Sequence, residues 1–196
     1  MTVIGYIIIA IALLLFIPIL GIFMIVGIPA TQRTINNSRK DTFVDTAKEY
    51  ANAVKFYNEA IELEDVDSLK YTYAFEKANA LFVSKRYSEA KAAALQAISF
   101  DANQGEPYML LASIYATVDP YPADPILNKT KYWAAVDKLQ TAKSIDPELA
   151  EKANTLINSY RKFYPTKEEV FFKPELAPGA DFKVGGLINE TVRCRD

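Results

Sequence analysis

The chain has 196 residues and a net charge of −2, from 22 Lys and Arg against 24 Asp and Glu, with one Cys and no His. The lack of His excludes Ser-His-Asp and Cys-His catalysis, and a single Cys excludes intrachain disulfides, Cys-rich zinc sites and iron–sulfur clusters. The near-neutral charge gives no electrostatic footprint for nucleic acid. We therefore expect a protein that is not an enzyme, with no catalytic residues, no metal, no cofactor, no small-molecule substrate and no nucleic-acid partner.

Residues 3–28 carry no charge and are almost entirely hydrophobic. A helix of 26 residues would be about 39 Å long, which exceeds the ~30 Å hydrocarbon core of a bilayer. The segment predicts a single N-terminal transmembrane helix in contact with the lipid bilayer. A cleaved secretory signal is the alternative, but no basic residue precedes the segment and 28–30 is a poor cleavage site. Gly21 and Gly27 are predicted to let a neighbouring membrane helix approach closely, with the alternative that glycine is simply common in membrane helices.

A polar junction follows at 29–40. Its basic residues are Arg33, Arg39 and Lys40, whereas no Lys or Arg precedes the apolar segment. The positive-inside bias therefore favours a cytoplasmic location for the rest of the chain.

Residues 41–162 are rich in helix-forming residues and contain a repeat. Three stretches share a small residue, a larger or apolar one four positions later, a small one three later and a turn residue five later. They are Ala53, Tyr57, Ala60, Asp65; Ala90, Ala94, Ala97, Ala102; and Ala135, Leu139, Ala142, Pro147. Each resembles the second helix of a tetratricopeptide repeat (TPR). Residues matching the first helix of that repeat are Ala78, Leu81, Tyr87, Tyr108, Leu111, Ala112 and Tyr115.

The resemblance implies a short right-handed α-solenoid over 41–162, in which small residues let helical hairpins pack closely. The third unit carries a Pro-rich insertion at 118–130, which we expect to be an ordered or semi-rigid loop. A generic Ala-rich bundle is the alternative. The TPR pattern also implies a concave groove that binds a partner peptide or helix; the alternative is that Phe82 and Leu110 are core residues. The residues projected onto this groove are Phe75, Asn79, Phe82, Val83, Met109, Leu110 and Ser113.

From residue 163 the composition changes to prolines and short β-prone runs at 170–172, 182–184 and 187–192, so we predict a C-terminal strap with short strands. The segments FYPTKEEVFF and GGLINETVR resemble the ending of a Bacteroidota extracytoplasmic TPR family, which implies a periplasmic location, against the basic flank. Matching positions are Tyr164, Pro165, Lys167, Glu168, Phe171, Phe172, Val184, Gly185, Ile188, Asn189, Glu190, Val192 and Arg193. Cys194 is expected to be an unpaired thiol, with an intermolecular link as the alternative.

Together these patterns predict an all-α fold class: a transmembrane helix (3–28), a TPR-like solenoid (41–162) and an irregular or β-hairpin tail (163–196). The expected function is a membrane-anchored interaction module, an accessory or scaffold subunit of an envelope protein complex in the bacterial inner membrane. Its expected partners are integral membrane proteins. The alternatives are an assembly factor, or a self-associating structural membrane protein with the 118–130 insertion as its contact arm.

Overall fold

The computed structural model describes residues 50–195. The chain divides into two compact units, Met1–Ala53 and Val54–Asp196, and of the first unit only the helical residues 50–53 are described. The predicted transmembrane segment (3–28), its packing residues Gly21 and Gly27, and the junction at 29–40 lie outside the described residues.

The predicted fold class is wrong for the part of the chain that the structure describes. No helix within 50–195 is both long and apolar enough to cross a membrane. The longest, Asp67–Val83, has 17 residues including charged ones such as Glu76 and Lys77, whereas a span needs about 20 predominantly apolar residues. The described chain is mostly helical, with a two-stranded antiparallel hairpin towards its C-terminal side.

The elements follow one another with short connections. The α-helices are α1 (50–63), α2 (Asp67–Val83), α3 (Tyr87–Phe100), α4 (Glu106–Thr117), α5 (Pro125–Asn128), α6 (Lys131–Ile145), α7 (Ala150–Arg161) and α8 (Lys167–Phe171). Single 3₁₀ turns lie at Pro147–Leu149 and Pro174–Leu176, and the strands are β1 (Asp181–Val184) and β2 (Glu190–Arg193).

The helices pack in pairs through small side chains. Helix α2 packs against α3 across the tight turn 84–86, where Lys85 adopts a left-handed φ of 61°, and α4 packs against α6 across the 118–130 insertion. Alanine leaves only a Cβ between two backbones, so the helices approach closely. The fully buried alanines are Ala74, Ala78, Ala90, Ala94, Ala97, Ala112, Ala134, Ala135, Ala142 and Ala153. Larger side chains of the second pair, including Trp133, Tyr115 and Leu111, are also fully buried.

The turn before α4 approaches the end of α6 closely at Gly105. A Cβ added there would lie 2.7 Å from Leu149 Cδ1 and 2.8 Å from the backbone oxygen of Ala142. The backbone conformation of Gly105 is ordinary for any residue (φ −78°), so the requirement for glycine is steric. The turn before α4 is thereby packed directly onto the end of α6.

The tail begins with a helix rather than a strand. The prediction of a β-prone run at 170–172 is wrong, because Thr166 and Glu169 form a capping box that starts α8 and outweighs the β-propensity of the residues after it. In the hairpin that follows, Asp181 lies opposite Arg193 and Val184 opposite Glu190. Val184 and Val192 are buried, so one face of the hairpin is packed against the domain.

Candidate functional site

The seven residues projected onto a binding groove do not share one exposure. Met109 and Leu110 are only 7% and 8% exposed, so they belong to the core. Val83 is 58% exposed, and the remaining four are half-buried: Phe75, Asn79, Phe82 and Ser113. Part of this set is therefore accessible along α2, and its partner-binding role stays a prediction.

The aromatic members of this set pack against neighbours on their own hairpin. Phe75 stacks on Tyr71 with ring centroids 6.0 Å apart, and Phe82 packs at a tilt against Tyr87 at 5.7 Å. The hydroxyl of Tyr71 in turn donates to Glu106 Oε2 at 3.1 Å, and burial raises the pKa of that hydroxyl. These contacts make the α2 face a partly covered surface and leave Val83 as its most exposed apolar residue.

A second surface was not predicted from the sequence. Phe171 and Phe172, which we call the Phe pair, are 80% and 74% exposed, and their rings meet edge to face with centroids 5.5 Å apart. Scattered exposed apolar residues are normal, but two adjacent phenylalanines exposed to this degree on an ordered segment are not. The sequence signal was present in the two adjacent phenylalanines that follow a capping box.

The segment that carries the Phe pair is held at both ends by ion pairs to the 118–130 insertion. Lys129 Nζ lies 2.6 and 2.7 Å from the two carboxylate oxygens of Glu169, and Lys173 Nζ lies 2.6 Å from Asp124 Oδ2. Hydrogen bonds from these lysines lower the pKa of both carboxyl groups. Asp124 also caps α5 by accepting from two backbone amides. The insertion therefore holds α8 and the residues after it in place through these two ion pairs.

The hairpin is bound to the helices by a cluster that we call the tail clasp: Lys91, Tyr115, Lys138 and Glu190. Lys91 Nζ donates to the backbone oxygens of Leu187 and Ile188 at 3.0 and 2.8 Å. The buried Tyr115 hydroxyl donates to Glu190 Oε1 at 2.5 Å, and Lys138 Nζ lies 2.8 Å from Glu190 Oε2.

The charges in the tail clasp are complementary, because the Glu190 carboxylate lies beside the ammonium of Lys138 and the hydroxyl of Tyr115. Burial and the Glu190 carboxylate raise the pKa of Tyr115, so its hydroxyl stays protonated and acts as a donor. Lys91 and Lys138 both lie over the Tyr115 ring, at 5.5 and 5.9 Å from its centroid. Two cations therefore flank the ring whose hydroxyl binds the carboxylate, and the hairpin is fixed in one position on α3, α4 and α6.

A cleft of about 350 Å³ lies where α1, α2 and α3 meet. Half of its eight lining residues are small or aliphatic, and the polar half comes from all three helices. The lining residues are Val54, Asn58, Lys77, Leu81, Glu89, Ala92, Ala93 and Gln96. Lys77 Nζ donates to Gln96 Oε1 at 3.2 Å, and burial lowers the pKa of this lysine.

Two carboxylates at helix ends, those of Glu64 and Glu169, accept hydrogen bonds from backbone amides. Glu64 Oε1 accepts from the backbone amides of Asp65 and Val66, both at 3.0 Å, and Glu169 closes the α8 capping box. Within 50–195, no three His, Cys, Asp or Glu side chains are grouped so that they could hold a metal. Cys194 is a free thiol that is 2% exposed, and burial raises its pKa.

Two surfaces thus combine accessibility with a defined geometry: the Phe pair and the cleft beside Lys77. The sequence matches no protein-family model and no curated protein.

Proposed function

We propose that this chain is a protein-interaction module that serves as an accessory or scaffold subunit of a membrane protein complex of the bacterial envelope. The observation that carries the proposal is the Phe pair, because Phe171 and Phe172 are exposed to water at 80% and 74%. Burying one phenylalanine side chain contributes about 1.5–3 kcal/mol, so a partner that covered both rings would gain several kcal/mol. Aromatic anchors of this kind dominate the energetics of many protein interfaces.

The ordering of the Phe pair supports the same function. Its segment is fixed before binding by the Thr166–Glu169 capping box and by ion pairs to Lys129 and Asp124. A partner therefore does not have to order this segment, and immobilising a loop side chain otherwise costs about 0.5–1.5 kcal/mol each. An exposed apolar pair on a preorganised segment is the arrangement expected of a docking site.

The resemblance of the helical part to TPR proteins also favours protein partners. The side chains at the repeat positions Ala90, Ala97, Ala135 and Ala142 are fully buried between helices, as close hairpin packing requires. The uncharged sequence at 3–28 is the reason to seek the partner in a membrane fraction. We place the module on the periplasmic side, as the resemblance of its tail implies, and protease treatment of spheroplasts would separate this from a cytoplasmic location.

An assembly factor would use the same surface only transiently, so stoichiometric presence in the mature complex separates it from a subunit. A self-associating structural protein is the less favoured alternative. Its contact arm would be the 118–130 insertion, but Tyr121, Asp124 and Lys129 of that insertion already bind the tail of the same chain. This use leaves fewer of its side chains for a second copy.

Site-specific photo-crosslinking in cells tests the proposal. A p-benzoyl-phenylalanine placed at Phe172 in the full chain should give a discrete adduct with another protein, identified by mass spectrometry. The matched control is the same group at Lys152, an exposed position on α7, which should give none. An adduct of twice the chain mass would instead show self-association.

Removing the Phe pair provides a second test of the proposal. The double variant Phe171→Ser/Phe172→Ser changes side chains that are 80% and 74% exposed, so we expect nearly unaltered thermal stability and loss of the co-purifying partner. The same partner recovered in equal yield with this variant would overturn the assignment of the docking site.

A further inference from the structure

The cleft beside Lys77 is a partly open depression between three helices. Val54 of α1, Leu81 of α2 and Ala93 of α3 give it apolar sides, and its volume of about 350 Å³ lies at the lower end of the range for ligand pockets, about 300–1,000 Å³. Alanines at 92 and 93 keep the space open, because a larger side chain on this face of α3 would fill it.

The cation in this cleft is incompletely satisfied by the described residues. Lys77 Nζ has a side-chain acceptor at Gln96 Oε1 (3.2 Å), and no carboxylate oxygen described in 50–195 lies within 4.0 Å of it. Glu89 also lines the cleft, but its two oxygens lie 2.7 and 2.5 Å from the guanidinium of Arg86. A half-buried ammonium with donors to spare favours an anionic acceptor, because charge-assisted hydrogen bonds strengthen where water is partly excluded.

We propose that this cleft binds an extended segment of a partner protein in which an Asp or Glu follows an aliphatic residue. The carboxylate pairs with Lys77, and the aliphatic side chain lies against Val54 and Leu81. An internal segment also presents peptide N–H and C=O groups on either side of the acidic residue. The side-chain amides of Asn58 and Gln96, which line the same cleft, offer both donors and acceptors for them.

The charges favour one carboxylate over several. Among the described residues that line the cleft, Lys77 is the only cation, and the Glu89 carboxylate at the rim already places negative charge near it. One acidic side chain in an otherwise neutral segment is therefore the matching ligand. This site is separate from the Phe pair and goes beyond the function proposed above.

A titration of the ¹⁵N-labelled full chain with blocked tripeptides tests the proposal. N-acetyl-Leu-Asp-Ala-amide should shift the backbone resonances of Ala92, Ala93 and Gln96 in a saturable way. N-acetyl-Leu-Asn-Ala-amide has the same shape without the charge, and it should bind at least tenfold more weakly.

Two variants assign the interaction to the cleft. Lys77→Met keeps the aliphatic stem and removes the charge, so it should lower the affinity for the Asp peptide to that of the Asn peptide. Lys152→Met, at an exposed position on α7, is the matched control and should bind normally. Ala92→Leu retains helix propensity and fills the cleft from its rim, so it should abolish the shifts.

Several results would overturn the proposal. Equal affinity for the Asp and Asn peptides, or undiminished binding by Lys77→Met with its circular dichroism intact, would remove the role of the cation. Tighter binding of N-acetyl-Leu-Val with a free carboxylate than of the Asp peptide would show that a chain terminus, and not an internal acidic residue, is the ligand. The Phe171→Ser/Phe172→Ser variant should bind the Asp peptide normally, which keeps this test independent of the Phe pair.

Discussion

The hydrogen bond between Tyr115 and Glu190 should be measurable as a coupling free energy. Tyr115 is fully buried, its hydroxyl donates to Glu190 Oε1, and the other carboxylate oxygen receives Lys138 at 2.8 Å. The perturbations are Tyr115→Phe, Glu190→Gln and the double variant, each of which preserves side-chain shape. A hydrogen bond to a charged group contributes about 1.5–3 kcal/mol and a neutral one about 0.5–1.5 kcal/mol.

These ranges give the expected magnitudes. Tyr115→Phe removes a charge-assisted bond and should lower the free energy of unfolding by about 2 kcal/mol. Glu190→Gln converts that bond into a neutral one and removes the ion pair with Lys138, so its cost should also be about 2 kcal/mol. In the Tyr115→Phe background only the ion-pair share remains, about 1 kcal/mol, which gives a coupling energy of about 1 kcal/mol.

Urea unfolding of the four proteins, followed by circular dichroism, measures the cycle. Glu175→Gln is the control, because Glu175 is an exposed carboxylate in the same tail and its loss should change stability by less than about 0.5 kcal/mol. A coupling energy below about 0.3 kcal/mol would refute the reasoning, since independent sites add to within that margin. The tail would then be held by its apolar face and not by the clasp.

Three further predictions concern other contacts. Gly105→Ala should lower the free energy of unfolding by about 1–3 kcal/mol in urea titrations, because its Cβ would meet the backbone oxygen of Ala142 at 2.8 Å, and a change below about 0.5 kcal/mol would contradict the close approach. Lysine hydrogen bonds lower the pKa of Glu169 and Asp124 in the folded state. The stability that these two ion pairs contribute is therefore present above the ordinary carboxylate range near pH 4 and is lost as pH falls through the folded pKa values. Hydrogen-exchange protection of α8 should accordingly stay level from pH 8 to 5 and fall below about pH 4. The thiol of Cys194 should react with an aromatic disulfide reagent far more slowly in the native chain than in urea, and a native rate equal to the unfolded rate would show that the tail is not docked.

The helical majority of the domain and the hairpin near its end could be predicted from the sequence. Alanines such as Ala90, Ala97 and Ala142 recur at helical spacing, and that spacing encodes a packed face directly. The run 170–172 was misjudged because β-propensity was weighed without the capping box that precedes it, whose hydrogen bonds start a helix.

The candidate sites were harder to predict because apolar character does not specify exposure. Leu110 and Val83 are both apolar residues that the repeat pattern assigns to the groove, yet Leu110 is 8% exposed and Val83 is 58% exposed. The difference arises from the neighbouring side chains that cover each residue in the folded domain. The cleft could not be predicted for a related reason: Lys77 and Gln96 lie on different helices and come into contact only when α2 and α3 pack together. Hydrophobic periodicity identifies the buried face of a single helix, and it does not show which residues of two helices come into contact.

The contacts of Lys91 with Leu187 and Ile188 join residues 96 and 97 positions apart, whereas the helices of the domain contact mainly the helices next to them along the chain. Synthesis on the ribosome proceeds from the amino end, so α3, α4 and α6 emerge long before the hairpin that covers them. Until the hairpin is translated, Tyr115 and the ammonium of Lys91 lack the tail groups that they contact in the folded domain. The helices can therefore form early and locally, whereas the last step of folding waits for a long-range closure, a type of contact that slows folding. A nascent chain of this protein would pass through a stage in which its helices are paired and one flank is still open, and a chaperone or a competing partner could reach that flank only during this interval.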